Sequence, residues 1–279
     1  MQRIALDTEK KRIITVNEAI SSQNYLCLEC QKIVRKRGGH HRKAHFFHLK
    51  HEAKCSQHQK SLIHLHLQHY LVSNFPNNEG SMEVHFPIIG RIADVVWKKH
   101  KLIFEIQVSP ISCKEILSRN VDYKSLGFSV IWILHDKTFN TTRLSQSEML
   151  LTSYPHYYTN FSSEGKGIVY DQFSVDRNAY RLAKTPARQV LLNIPDFSPP
   201  FPSKEQFSRH LYPFVLKRWK LWQLSFEGDL LSCPPPLEHM KAFEELYFPQ
   251  TSRCKRIIHQ FLLAPYLNYF HLMCEKMFY

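Results

Sequence analysis

Between residues 57 and 135 the spacing of apolar positions changes period repeatedly, and each change marks an element. From Gln57 to about Phe75 the period is helical: Ile63, Leu67, Tyr70 and Leu71 fall on one face. The break Pro76-Asn-Asn-Glu-Gly80 ends that helix. Three strand-like runs follow, over residues 81–87, 90–97 and 102–108. Ser112 suits the N-cap of a helix over 113–124. The apolar run 128–134 reads as a buried strand. The order helix, strand, strand, strand, helix, strand predicts an α/β core with a mixed sheet.

The flanks are less regular. Residues 3–6 and 12–16 alternate and predict a strand pair. Residues 25–58 are poor in aliphatics and rich in Cys, His, Lys and Arg, so they predict no conventional core and a metal as the staple. Residues 137–204 read as irregular, with one or two strands such as 189–194. Residues 205–279 read as helical and aromatic. There, Tyr212, Phe214, Trp219 and Trp222 interleave with Lys217, Arg218 and Lys220. Such a pattern either stacks on single-stranded bases or is an ordinary helix core.

The segment 91–107 carries the most chemistry. A turn at residues 98–101 pairs positions whose numbers sum to 199, which sets Asp94 opposite Glu105. Opposed side chains in a sheet stand about 4.5–5.5 Å apart, and like charges there destabilise. Gln107 shares that face, while Ala93, Val95, Trp97, Leu102, Phe104, Ile106 and Val108 line the other as a core. Either a hard divalent cation relieves the two acids, or the face is solvated and each acid meets a Lys or Arg.

Composition adds a partner. Lys and Arg total 37 against 24 Asp and Glu, a formal charge of +13. That favours a polyanion, nucleic acid before membrane. The chain has no apolar run long enough to span a bilayer, and MQRIALDTEKKR has no signal-peptide core, so the expectation is a cytoplasmic protein without membrane insertion. In a reducing compartment Cys27-x-x-Cys30 points to metal binding more than to a disulfide. His45-x-x-His48 completes a tetrahedral zinc set, with Cys55-x-x-His58 as a competing second half. The nearby Lys32, Arg35, Lys36, Arg37, Arg42 and Lys43 suit a phosphate backbone.

The Asp94, Glu105-x-Gln107 arrangement within an αβββαβ order resembles the PD-(D/E)XK nuclease superfamily. The wider set Cys27-x-x-Cys30, His45-x-x-His48, Ser61-x-x-His64-x-x-x-Gln68, Arg91-x-Ala-Asp94, Glu105-x-Gln107-x-Ser109 and Arg119-x-x-x-Tyr123 resembles the competence protein CoiA family. The resemblance covers about residues 20–135. It implies a DNA-processing protein of natural transformation and recombination, with DNA and recombination proteins as partners. It also implies a Mg²⁺- or Mn²⁺-dependent deoxyribonuclease in which Asp94 and Glu105 hold the metal, and Zn²⁺ in the Cys/His region. Gln107 stands where the superfamily has a catalytic Lys, and Gln68 where this family tends to have Lys. Non-catalytic DNA binding is the alternative. His64 is the candidate base or phosphate contact; Gln68, Ser109, Arg119 and Tyr123 are candidate DNA contacts. The expected organisation is a Cys/His-rich region at 1–56, a nuclease-like core at 57–136 and a C-terminal region at 137–279, mostly helical after 204.

Overall fold

The computed structural model describes residues 2–234, apart from 3, 11, 29, 40, 41, 51–54, 56–60, 208 and 210. Expectations for residues 235–279 and for His58 lie outside the described residues.

The N-terminal region is a five-stranded antiparallel sheet in the order β2-β1-β3-β4-β5. Its strands are β1 (Ile4–Asp7), β2 (Arg12–Thr15), β3 (Tyr25–Leu26), β4 (Ile33–Gly39) and β5 (Arg42–His48). The expected pairing of the first two runs is present, with Ala5 opposite Ile14. The expectation that residues 25–58 build no core is corrected. Tyr25, Val34 and Phe46 pack with Ala5, Ile14 and Val16 from the first two runs and their flank. The region therefore shares a small core with residues 1–19, which composition alone does not reveal.

The central sheet has seven strands in the order β14-β11-β10-β9-β8-β7-β6. It opens with α1 (Leu62–Asn74), then β6 (Gly80–Phe86), β7 (Arg91–Trp97), β8 (Leu102–Gln107), α2 (Cys113–Ser125) and β9 (Ser129–His135). This is the expected helix–three strands–helix–strand order. Ser61 Oγ accepts from the His64 N–H and Ser112 Oγ from the Glu115 N–H, so both helices start on serine caps. The hairpin β7–β8 pairs Val95 with Phe104 and Trp97 with Leu102, the register in which paired numbers sum to 199. Lys101 closes its turn in the left-handed region, with φ 52°. Strands β8 and β9 run parallel across the α2 crossover.

Residues 137–204 are more ordered than expected. After α3 (Gln146–Leu151) come β10 (His156–Thr159), β11 (Val169–Asp171), β12 (Ser174–Arg177), β13 (Tyr180–Lys184), β14 (Arg188–Gln189) and β15 (Leu191–Asp196). Three of these extend the central sheet. Their shortness hid them, because runs of two to four residues carry too few positions to show a period. Last come α4 (Tyr212–Trp222) and β16 (Ser225–Glu227), which pairs with β15.

Both faces of the central sheet are buried. One core sets Leu67 and Leu71 of α1 against Val95, Trp97, Phe104 and Ile106. The other sets Ile116 and Tyr123 of α2 against Ala93, Val96, Ile103 and Trp132. The expected polar face therefore does not exist: Val96 and Ile103 on it are fully buried. Ala93 is also displaced from the face expected for it, packing on the α2 side while Val95 packs on the α1 side. Alternation breaks at Asp94. It breaks at the same level in β6, where Met82 lies on the α1 side and Val84 on the α2 side.

Candidate functional site

The break in alternation is where the acids meet. Asp94 and Glu105 are the next pair after Val95 and Phe104 in the register, yet the regular ladder stops one step short of them. Asp94 Oδ2 instead accepts the Ile106 N–H at 2.9 Å, so a side chain replaces a backbone carbonyl in the ladder. The Asp94 carbonyl is likewise turned out of the sheet and accepts from Gln68 Nε2 at 3.0 Å. His64, one turn before Gln68 on α1, places Nε2 3.0 Å from Asp94 Oδ1. Two side chains at i and i+4 thus grip one aspartate from the same helix face.

Glu105 is held from the other layer. Arg119 Nη1 donates to its Oε2, and the Tyr123 hydroxyl donates to its Oε1 at 2.8 Å. These two are also one turn apart, on α2. Arg119 Nε is anchored by Glu115 at 2.8 Å, and Arg91 ties Glu115, Ser118 and Asp122 to the start of β7. Asp94 is 4 % exposed and Glu105 1 %. Burial pushes the Glu105 carboxyl up to about 7, against the pull of Arg119 and with Asp94 adding repulsion. The Tyr123 hydroxyl is pushed up by burial and by the Glu105 charge beside it. Burial opposes the charge on Arg119, but Glu105 and Asp94 outweigh it and raise its pKa.

Of the residues singled out in the sequence, His64, Gln68, Asp94, Glu105, Arg119 and Tyr123 come together. Gln68 and Tyr123, expected as DNA contacts, are fully buried and hydrogen-bonded to Asp94 and Glu105. Arg119 is spent on two carboxylates. Gln107 and Ser109 lie at the open end of β8, where Gln107 Nε2 donates to the Ser109 carbonyl at 2.5 Å. Sequence reasoning missed Glu83. Counting along β6 and β7 from Met82 opposite Val95 and Val84 opposite Ala93 sets Glu83 across from Asp94. It is 4 % exposed and sits at φ 52°, a strained region for a non-glycine residue. Its signal was a Glu within the apolar run Met82-Glu-Val-His-Phe86.

Asp94, Glu105 and the buried Gln68 Oε1 offer oxygen only; the four carboxylate oxygens are engaged as described, while Gln68 Oε1 has no hydrogen-bond donor among the described residues. A softer set lies in the N-terminal region. Cys27, Cys30, His48 and Cys55 bring their ligand atoms within 4.8 Å of one another and could hold a metal such as zinc. Cys27 Sγ and Cys55 Sγ are 3.7 Å apart, too far for a disulfide. That separation matches the roughly 3.8 Å edge of a tetrahedron with Zn–S bonds of about 2.3 Å. Cys30 Sγ lies 3.1 Å from His48 Nε2. The turn from Cys27 is closed by its own N–H on the Lys32 carbonyl and by Gln31 N–H on the Cys27 carbonyl. Burial raises the Cys30 thiol pKa, and the Lys32 N–H works against it.

Of the two competing candidates, the cluster brings in Cys55 and leaves out His45. A spacing of three puts two histidines on one side of a helix but on opposite sides of a strand, and both lie in β5. His48 points into the small core while His45 does not join the cluster.

Residues 56–179 match the family model described as competence protein CoiA, nuclease-like domain. That segment is similar to the CoiA-family nuclease-like domain. It spans α1 through β12, so the CoiA match includes every residue around Asp94 and Glu105 and continues into the strands beyond β9. No curated protein and no solved structure matches the chain. Among the described residues, no helix is long and apolar enough to cross a membrane.

The C-terminal aromatics split between the two readings. Trp222 is buried, with the Arg218 guanidinium 3.8 Å above its ring. Arg218 is held by Asp171 at 2.6 Å and Asp229 at 3.4 Å. Trp219 Nε1 donates to the Pro199 carbonyl. These tryptophans are structural; Phe214 alone of the two Trp and this Phe is mostly exposed, at 56 %.

Proposed function

We propose that this is a cytoplasmic DNA-processing protein of natural transformation or recombination that cleaves phosphodiester bonds at Asp94 and Glu105. The observation that carries the reading is the convergence of His64, Gln68, Asp94, Glu105, Arg119 and Tyr123 at one level of the sheet. A purely structural core does not need six polar side chains there, because apolar residues of the same volume are as stabilising or more so. Asp94, Glu105 and the Gln68 carbonyl would hold Mg²⁺ or Mn²⁺, whose contribution is Lewis acidity and a bound water of lowered pKa. The protein's own part is positional. His64 and the Ile106 N–H fix the Asp94 carboxylate; Arg119 and Tyr123 fix Glu105. Gln107, uncharged at every pH, would orient the attacking water rather than take its proton. The Cys/His cluster would hold Zn²⁺ as a structural staple, and the basic positions of β4 and β5 would follow the DNA backbone.

Cleavage of single- and double-stranded DNA with Mg²⁺ or Mn²⁺, compared with Glu105→Ala, tests this. Metal-dependent cutting that vanishes in the variant supports it. DNA binding without cutting by either protein moves the reading to a recombination accessory protein. One observation favours that second reading: both oxygens of each acid already accept internal hydrogen bonds, and Gln107 is turned to Ser109.

A further inference from the structure

A cavity of about 210 Å³ lies beneath α4, outside the acidic site. It is smaller than the roughly 300–1,000 Å³ of drug-sized sites, so it admits one ring system rather than a helix or strand. Its walls are aromatic: Phe173 and Phe214 meet edge to face at 5.3 Å, and Tyr158 and Trp222 line the interior. Phe214 stands at the rim, more than half exposed. Lys217 follows one turn later on the same side of α4 and is exposed.

The polar lining carries both donors and acceptors; its buried cation, Arg218, is paired with Asp171 and Asp229. His156 points Nδ1 at the Tyr154 carbonyl at 2.9 Å, and burial holds its pKa down to about 4. The imidazole is therefore neutral, with Nδ1 carrying the proton and Nε2 left as an acceptor. Asp176 at the mouth already accepts from Ser174 Oγ and is paired with Arg181 Nε at 3.5 Å. Asp171 is already committed to Arg218 and the Leu230 N–H. His156 Nε2 is an acceptor inside, the rings stand at the side and the Lys217 ammonium is at the rim. They suit a planar base with an exocyclic amino group and a phosphate attached.

The cavity is also within reach of the acids. Glu105 pairs with Trp132, and Trp132 with His156, so His156 stands two strands from Glu105 in one row. At the usual strand spacing that is about 10 Å.

We propose that this cavity takes an unpaired base, adenine or cytosine, of single-stranded DNA, stacked on Phe214 with its phosphate at Lys217. The proposal rests on the DNA reading above and deepens it to a strand preference. The test is fluorescence anisotropy with labelled oligodeoxyadenylate and with a blunt hairpin duplex, in chelator so that neither is cut. Phe214→Ala is expected to weaken single-strand binding about tenfold and leave duplex binding unchanged, with Phe214→Tyr restoring it. Thermal melts of both variants check that the exposed site tolerates the change. Equal single-strand affinity in wild type and Phe214→Ala, or equal losses on both DNA forms, overturns the pocket and leaves the DNA reading standing. Wild-type protein that binds neither form overturns the DNA reading as well. Free dAMP, followed by ligand-observed NMR, separates the sources: capture of dAMP without the oligonucleotide overturns the single-strand occupant in favour of a free nucleotide.

Discussion

Cys55 and His45 make the sharpest contrast at the scale of single residues. The first closes the Cys/His cluster and the second lies off it. Cys55→Ala is therefore expected to lower bound zinc from about one equivalent toward none, while His45→Ala keeps it; elemental analysis of the purified variants decides. His156 makes a second case. Its folded pKa of about 4 lies below the ordinary 6.5, so its contribution to stability is present above pH 6.5. That contribution is lost as pH falls toward 4, where the unfolded chain binds a proton that the folded one refuses. Relative to His156→Phe, the wild type should lose up to about 3 kcal/mol over that window in urea titrations. Parallel pH profiles would contradict it.

At the scale of elements, Lys101 tests the hairpin that aligns the acids. It is exposed and left-handed, with φ 52°. Lys101→Gly removes a Cβ penalty of about 1–2 kcal/mol and adds unfolded-state entropy of somewhat less, so a gain of up to about 1 kcal/mol is expected. A loss in melting temperature would show that the Lys101 side chain contributes more than its backbone costs. This hairpin was legible in the sequence because a short basic turn between two apolar runs leaves a single natural register. The serine caps at Ser61 and Ser112 were legible for the same local reason. What was not legible depended on contacts far along the chain. The sharing of Ile14 and Val34 in one small core, the fit of β10 beside β9 and the burial of Val96 beneath α2 have no local period. Glu83 was hidden because a strand pattern does not reveal which residue turns its backbone left-handed.

For the whole molecule, the two buried titrations oppose each other. Glu105 is raised in the folded state from 4.5 to about 7. Its stabilising effect is therefore full below pH 4.5 and is lost as pH rises through 7. In chelator, Glu105→Gln should thus become more stable relative to wild type between pH 5 and 8, as read by thermal melts. A difference that stays constant across that range would mean Arg119 already keeps Glu105 charged. With a divalent cation present the slope should shrink, because a bound ion replaces the proton.

The register of the β7–β8 turn has a consequence of its own. Because paired numbers sum to 199, loop length alone fixes which residue stands across from Asp94. One residue added between Lys98 and Lys101 would shift β8 by a single step, turning Phe104 or Ile106 toward Asp94 and pointing Glu105 into the α1 core. Most substitutions in that exposed loop are tolerable, but its length is not. In this domain, an insertion or deletion at residues 98–101 should act like removal of an acid even though every acid is still encoded.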